Sequence, residues 1–198
     1  MTRYGNYFLR IINSHIFSKI VRFGLTVDGN IPLKNLNLSP LSSNEHAPTN
    51  DYLELCYLLL KLGCRKKTIV DLGCGSGVAI ALFRFLPYRK VYGAELSSYL
   101  YRRAKANFKG SKIVIRNEDA RSFREHVDFV FIFKPFPSSV LIEVISNIFT
   151  LNRDAVFIYR NPVDFKLVKD KFSVEEIFRM KSSSSLYVCF NMRTNNDK

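Results

Sequence analysis

The sequence predicts a three-layer α/β/α domain with a seven-stranded, mostly parallel sheet and an antiparallel pair of strands at one edge. Three observations predict it. Short apolar runs alternate with helical patterns from about residue 51 onward, the runs contain few polar residues, and the last two runs have no long helix between them. Alternating strands and helices indicate right-handed βαβ units. Nearly continuous apolar runs indicate strands that helices cover on both faces.

Each element follows from its pattern and from the residues that stop it. Pro87 and Gly110 end two of the predicted helices, and Ser138 or Ser139 is placed to cap another. Helices are predicted over 51–62, 78–86, 97–108, 140–149 and 164–170. Strands are predicted over 68–72, 90–93, 113–116, 128–133, 155–159, 174–178 and 185–190.

Residues 1–50 are predicted to form an N-terminal helix and a cover segment, ahead of a core over 51–198. The stretch 4–23 is apolar on one face but too interrupted by polar residues to span a membrane. We expect it to pack on its own domain, and peripheral contact with an anionic membrane stays open. The stretch 24–50 is rich in Gly, Pro and Ser, which favours a cover over the substrate side. No secretory signal is visible, so the cytoplasm is the expected compartment.

The cysteine pattern and the chain length argue against a small domain that is stabilised by zinc or by disulfides. Cysteines stand at 56, 64, 74 and 189, without any Cys-x-x-Cys pair and with three histidines in the whole chain. This pattern favours thiols in a reducing compartment over a zinc site, and no metal is predicted. A chain of 198 residues also buries enough surface to hold one core without disulfides.

The net charge of +13 raises the question of a nucleic-acid partner. Lys plus Arg minus Asp plus Glu gives +3, +3, +4 and +3 for residues 1–50, 51–100, 101–150 and 151–198, so the excess is spread evenly. A denser basic run lies within 102–124. Without a basic tail or a recognition motif, a solvated basic face is favoured over nucleic-acid binding.

The strongest chemical signal is the turn after the first strand, Val70-Asp71-Leu72-Gly73-Cys74-Gly75-Ser76-Gly77. Its glycines follow G-x-G-x-G, whereas a dinucleotide fingerprint would need its third glycine at Val78. A carboxylate at Asp71 would repel a pyrophosphate but suits a cationic ligand that lacks phosphate. S-adenosylmethionine has a sulfonium, an ammonium and no phosphate, so this polarity favours it over a nicotinamide cofactor.

VDLGCGSG resembles motif I of the class I S-adenosylmethionine-dependent methyltransferases, and later segments continue the resemblance. It implies the Rossmann-like methyltransferase fold, with Glu95 of Val91-Tyr92-Gly93-Ala94-Glu95-Leu96 on the ribose hydroxyls. It also implies Asp119 of Asn117-Glu118-Asp119-Ala120 on the adenine amino group, although Glu118 could take that place. Phe133-Lys134-Pro135-Phe136 falls at motif IV. The implied cofactor-binding residues are Asp71, Gly73, Cys74, Gly75, Gly77, Glu95, Leu96, Asp119, Ala120 and Lys134.

Flanking segments are similar to a group of small bacterial methyltransferases of undefined substrate. The similarity rests on Phe23-Gly24 with Thr26 and Gly29, on His46-Ala47-Pro48-Thr49, on the Pro-Phe pair after strand four, and on Tyr159-Arg160-Asn161-Pro162. That group usually has Asn where this chain has Lys134. With Lys134 at this position, the chain lacks the motif of amino-directed nucleic-acid methyltransferases.

The methyl acceptor is unknown from sequence. A small molecule or glycan precursor is favoured; the alternatives are RNA or another polymer, and a non-catalytic module that only binds the coenzyme. No residue is assigned as general base, because methyl transfer needs one only when the acceptor must lose a proton. Weak catalytic candidates are His46, Lys134, Tyr159 and Asn161.

Overall fold

The computed structural model describes Leu25 and residues 52–109, 113–133, 136–182 and 185–193. The predicted helix and cover over 1–50 lie outside the described residues, apart from Leu25. The side chain of Leu25 is partly buried and packs against the core. The predicted division of the chain at residue 50 therefore stays a prediction.

The described residues form one seven-stranded sheet with the strand order β3-β2-β1-β4-β5-β7-β6. The first five strands are parallel, and β7 runs antiparallel to both β5 and β6. This confirms the predicted fold class, including the antiparallel edge pair. The strands are β1 Thr68–Leu72, β2 Lys90–Glu95, β3 Ile113–Asn117, β4 Phe129–Phe133, β5 Val156–Arg160, β6 Val174–Lys181 and β7 Leu186–Met192.

Helices cover both faces of the sheet and enclose two apolar cores. One core packs α1 and α2 against one face, and the other packs α4 and α5 against the opposite face. The central strands β1 and β4 are almost wholly buried, which explains why their sequences lack polar alternation. The helices are α1 Tyr52–Lys61, α2 Val78–Phe83, α3 Ser98–Asn107, α4 Ser138–Leu151 and α5 Phe165–Lys171, with a short 3₁₀ turn over Ala120–Ser122.

The order in which the strands enter the sheet determines where a ligand site is expected. It runs from β1 to β2 and β3 on one side, and then returns to lay β4 on the other side of β1. In open α/β sheets, ligands bind beyond the carboxyl ends of the strands at such a switch point. The turn after β1 and the end of β2 therefore lie at the expected place.

Most boundaries differ from the sequence expectation by one to three residues, and three of the differences bear on the packing around the site. β2 continues to Glu95 because its last residues pair in register with β3, ending at Glu95 opposite Asn117. α2 ends at Phe83, four residues before Pro87. The cap of α4 is Pro137 rather than a serine, and the Ser138 hydroxyl instead donates to Asp164 Oδ1 at 2.8 Å.

The edge strand β6 is irregular and charged. Its pairing with β7 shifts between Glu176 and Phe178, and Ile177 at the shift is exposed. Glu175 and Glu176 stand on this strand with Arg179, which donates to Glu176 at 2.6 Å. β6 therefore lacks a continuous flat apolar face.

None of the helices in the described part of the chain is long and apolar enough to cross a membrane. Within the same residues, no three His, Cys, Asp or Glu side chains come together in a way that could hold a metal ion.

Candidate functional site

The glycine turn after β1 folds onto the end of β2. Gly73, Gly75 and Gly77 all have positive φ, at 74°, 57° and 88°, a region that side-chain-bearing residues rarely adopt. The amides of Gly73 and Cys74 both donate to the Ala94 carbonyl, at 2.9 and 3.1 Å. The turn is thus anchored at the carboxyl edge of the sheet, in the place that the sequence predicts.

Glu95 ties this turn to the start of α3. Its Oε2 accepts from the Gly75 amide at 2.8 Å, and its Oε1 accepts from the Ser97 amide at 2.7 Å. The side chain is 6% exposed; burial raises its pKa, while the amides of Ser97 and Gly75 act in the opposite direction. A carboxylate has about four lone-pair positions, so the bonds to Gly75 and Ser97 leave capacity for a further donor.

Asp71 is the second buried carboxyl of the site. It stands opposite Gly93 in the β1–β2 register, is 4% exposed, and has no hydrogen-bonding partner among the described residues. Burial, reinforced by the nearby Glu95 carboxylate, raises its pKa to about 8. A buried acid without a donor is held in its neutral form, and a cationic ligand beside it would favour ionisation.

Asn117 braces the end of β2 from the neighbouring strand β3. Its Nδ2 donates to the carbonyls of Glu95 and Leu96 at 2.9 and 3.1 Å, and its Oδ1 accepts from the Ser98 hydroxyl at 2.7 Å. Asn117 begins the segment Asn117-Glu118-Asp119-Ala120, and no role is predicted for it from sequence. Its position at the carboxyl end of a predicted strand was the available signal.

Replacing Asn117 with Asp is expected to weaken S-adenosylmethionine binding about tenfold. The new oxygen cannot donate, so it repels the two carbonyls that the amide holds, and the turn carrying Glu95 loses its brace. Titration calorimetry measures the affinity. Asn191→Asp on β7 is the matched control, with unchanged affinity expected, and equal affinity in both variants would contradict the bracing role.

The two predicted adenine-side acids differ in their surroundings. Asp119 is 26% exposed on its side chain and pairs with Arg121, whose Nη2 lies 2.6 Å from Oδ2. Its Oδ1 also accepts from the backbone amide of Arg121, so Asp119 caps the 3₁₀ turn. The bonds from Arg121 lower the pKa of Asp119. Burial raises the pKa of Glu118, one of whose oxygens is buried without a hydrogen-bonding partner. The structure therefore brings both acids to the end of β3.

The weak catalytic candidates at the end of β5 are tied into the fold. Tyr159 is fully buried, and burial, together with the Asp164 carboxylate, raises its pKa. Asn161 has φ 49°; its amide donates to the Leu186 carbonyl at 2.7 Å and its Oδ1 accepts from the Leu186 amide at 2.9 Å. Both residues thus hold β5 and its following turn in place. His46 and Lys134 lie outside the described residues.

Arg160 is a buried cation that the sequence analysis did not single out. Its guanidinium lies 3.8 Å from the ring centroid of Phe133, the last residue of β4, and its Nε donates to the Ser185 hydroxyl at 3.0 Å. Phe133 and Arg160 are neighbours in the β4–β5 register. The carboxyl ends of these strands therefore carry an aromatic ring with a stacked positive charge.

Comparisons with known proteins agree with this geometry. Residues 69–154 match the family model described as a methyltransferase domain, and no curated protein sequence matches the chain. The putative RNA methyltransferase from Pyrococcus horikoshii superposes with TM-score 0.68 at 18% identity, over 93% of this chain and 100% of that one. Magnesium protoporphyrin IX methyltransferase from Synechocystis PCC 6803 was solved with bound S-adenosylmethionine. It superposes with TM-score 0.56 at 16% identity, over 98% of this chain and 99% of that one.

A third solved structure extends the range of acceptors that this fold serves. The ribosomal protein L11 methylase from Lactobacillus delbrueckii subsp. bulgaricus gives TM-score 0.59 at 17% identity, over 79% of this chain and 84% of that one. At such identities the superpositions show a shared fold. The sequence match adds that residues 69–154 resemble a methyltransferase domain.

Proposed function

We propose that this chain catalyses methyl transfer from S-adenosylmethionine, held at the carboxyl ends of β1, β2 and β3, to an acceptor beyond β4 and β5. The observation that carries the proposal is Glu95, a buried carboxylate at the end of β2 that is bonded to the amides of Gly75 and Ser97 and has lone pairs left for further donors. Ribose hydroxyls are such donors. When bound, the cofactor supplies a methyl group on a positively charged sulfur.

Two buried carboxyl groups are proposed to bind different parts of the cofactor. Glu95 accepts from the ribose, and Asp71 offers a buried carboxyl to the cationic part of the cofactor, where ionised acid and cation stabilise each other. The glycine turn of Gly73, Cys74, Gly75 and Gly77 leaves room for close approach because it lacks bulky side chains. Leu96, Asp119 and Ala120 are proposed for the adenosine end.

The proposed role of the fold in the reaction is positioning. Alignment of an acceptor with the methyl in a site cleared of water supplies about 7–11 kcal/mol of such a barrier. Tyr159 is unsuited to act as a base because its hydroxyl is buried and its pKa is raised. Lys134 and His46 stay candidates for contact with cofactor or acceptor. The four cysteines are free thiols, which fits the proposed cytoplasmic compartment.

Calorimetric titration of the wild type and of Glu95→Ala with S-adenosylmethionine and S-adenosylhomocysteine tests the cofactor site. We expect the wild type to bind both and the variant to bind at least about tenfold more weakly, since charge-assisted hydrogen bonds are lost. Glu176→Ala on β6 is the control and should leave affinity unchanged. Equal affinities in wild type and Glu95→Ala would remove Glu95 from the site.

Two acceptor classes are carried forward. A small molecule or glycan precursor is the class that the sequence favours. RNA is the second class, and one observation favours it, namely the basic face of α3 described below. The solved structures with this fold are described as acting on RNA, protein and porphyrin, and fold does not choose among them. Production of S-adenosylhomocysteine with a metabolite panel and with cellular RNA discriminates the two, and no turnover on any acceptor would favour a non-catalytic module.

A further inference from the structure

α3 and the residues after it carry positive charge without any carboxylate. Residues 98–109 contain Arg102, Arg103, Lys105 and Lys109 and neither Asp nor Glu. Arg102, Lys105 and Lys109 are exposed, and none of these three forms an ion pair with a described residue. Most of this charge therefore faces solvent.

Several basic residues around the rest of the sheet form ion pairs. These pairs are Lys67 with Asp128, Arg116 with Glu125, Arg121 with Asp119, Arg179 with Glu176 and Arg193 with Glu175. The exposed lysines of α5 form no ion pair with a described residue either, but α5 also carries Asp170, whereas α3 carries no carboxylate.

The same helix offers an aromatic surface and a cavity. Tyr99, Arg102, Arg103, Ala106 and Asn107 line a cavity of about 330 Å³. They stand at i, i+3, i+4, i+7 and i+8, which is one face of a helix. Tyr99 is 41% exposed, and the Arg103 guanidinium lies 5.4 Å from the centroid of its ring. An exposed ring beside guanidinium groups is a surface on which a nucleobase stacks while phosphates meet the cations.

Both ends of α3 touch the cofactor site. At its start, the Ser97 amide donates to Glu95. At its end, Asn107 Nδ2 donates to the Ser76 carbonyl of the glycine turn at 3.0 Å. A chain of nucleotides lying along α3 would therefore run beside the cofactor.

We infer that the α3 face, meaning Tyr99, Arg102, Lys105, Ala106 and Lys109, binds the phosphates and bases of single-stranded RNA. The inference rests on the proposed function and selects the second of its two acceptor classes. Charge complementarity to phosphodiesters and the exposed Tyr99 ring argue for RNA over an acidic protein or an anionic membrane, because neither of those supplies a base to stack.

Fluorescence anisotropy with a labelled 12-nucleotide oligouridine tests the inference. The triple variant Arg102→Gln, Lys105→Gln, Lys109→Gln should bind at least tenfold more weakly than wild type at low salt. Its plot of log Kd against log salt should be shallower by about 2, since each phosphate contact on a single strand contributes about 0.7. Tyr99→Ala should bind about tenfold more weakly with an unchanged salt slope, because stacking is uncharged.

The matched control removes the same charge from the other face of the sheet. Lys166, Lys169 and Lys171 on α5 are all exposed, and their triple Gln variant should retain wild-type affinity and slope. Calorimetry with S-adenosylmethionine, expected unchanged in every variant, verifies folding and separates failure of this inference from failure of the cofactor site. Equal losses in the two triples, no RNA binding by wild type, or tighter binding to phosphatidylglycerol vesicles than to RNA would overturn it.

Discussion

Asp71→Asn is expected to make the ligand-free protein more stable and its affinity for S-adenosylmethionine 10–100-fold weaker. The folded-state pKa of Asp71 is about 8, raised by burial and by Glu95, against about 3.9 in an unfolded chain. Stability from this group is fully present below pH 4 and is lost as pH rises toward 8. Each unit between these pKa values corresponds to about 1.4 kcal/mol. Because the new amide needs partners of its own, we expect a net gain of about 1–3 kcal/mol at pH 8.

Chemical denaturation at pH 5 and pH 8 measures that gain, which should grow with pH. Asp128→Asn is the control at the opposite end of the sheet. Burial acts to raise the pKa of Asp128, but the Thr68 amide and the Lys67 ammonium outweigh it and lower the pKa. Asp128→Asn should therefore lose stability at neutral pH and retain cofactor affinity. A loss of stability in Asp71→Asn that grows with pH would contradict the assignment.

Cofactor binding should also depend on pH through Asp71. If a cation binds beside it, the carboxyl ionises and releases a proton, so wild-type affinity should rise as pH increases from 6 to 8 and then level off. Calorimetry in buffers of different ionisation enthalpy counts the released proton. Asp71→Asn should release none, and an equal count in wild type and variant would assign the proton to another group.

Gly77→Ala is expected to cost about 2–5 kcal/mol of folding free energy and to abolish measurable cofactor binding at micromolar concentrations. Gly77 has φ 88°, and a Cβ there would lie 2.4 Å from Phe108 Cε2. The backbone conformation costs an alanine about 1–2 kcal/mol, and overpacking against the ring costs about 1–3 kcal/mol. The glycine turn would have to move to relieve the contact.

Gly63→Ala separates the two costs. Gly63 has φ 77°, but a Cβ there meets nothing within 4 Å, so only the backbone cost should appear. Thermal and chemical denaturation of both variants give the difference, and Phe108→Leu in the Gly77→Ala background should recover part of it. Equal destabilisation of the two glycine variants would show that contact with Phe108 contributes nothing.

The geometry of the candidate site was predictable where its residues lie close in sequence. The turn from Asp71 to Gly77 consists of consecutive residues. The spacing of its glycines predicts the backbone geometry of the turn, and the preceding acid predicts the charge beside it. Glu95 follows one crossover later, and the reach of a βαβ unit brings it back to the turn. Its bonds to Gly75 and Ser97 confirm that the turn and the end of β2 meet.

The rest of the candidate site depends on strand register and on side-chain rotamers, which cannot be read from one sequence. Asn117 reaches Glu95 because β2 and β3 pair with these two residues opposite each other. The pairing of Asp119 with Arg121 is a choice of side-chain conformation. The basic run within 102–124 is visible in the sequence, but only the fold shows that Arg116 and Arg121 form ion pairs while Arg102, Lys105 and Lys109 are exposed without one among the described residues.

The irregular strand β6 has a consequence for association between molecules. A sheet edge exposes backbone groups that can recruit a strand from another copy, and charges and bulges are the means by which proteins prevent this. The shift between Glu176 and Phe178 interrupts the row of donors and acceptors, and the adjacent carboxylates would face their own counterparts in a paired copy. This border of the molecule is therefore protected against aggregation even though most of the strands behind it are strongly apolar.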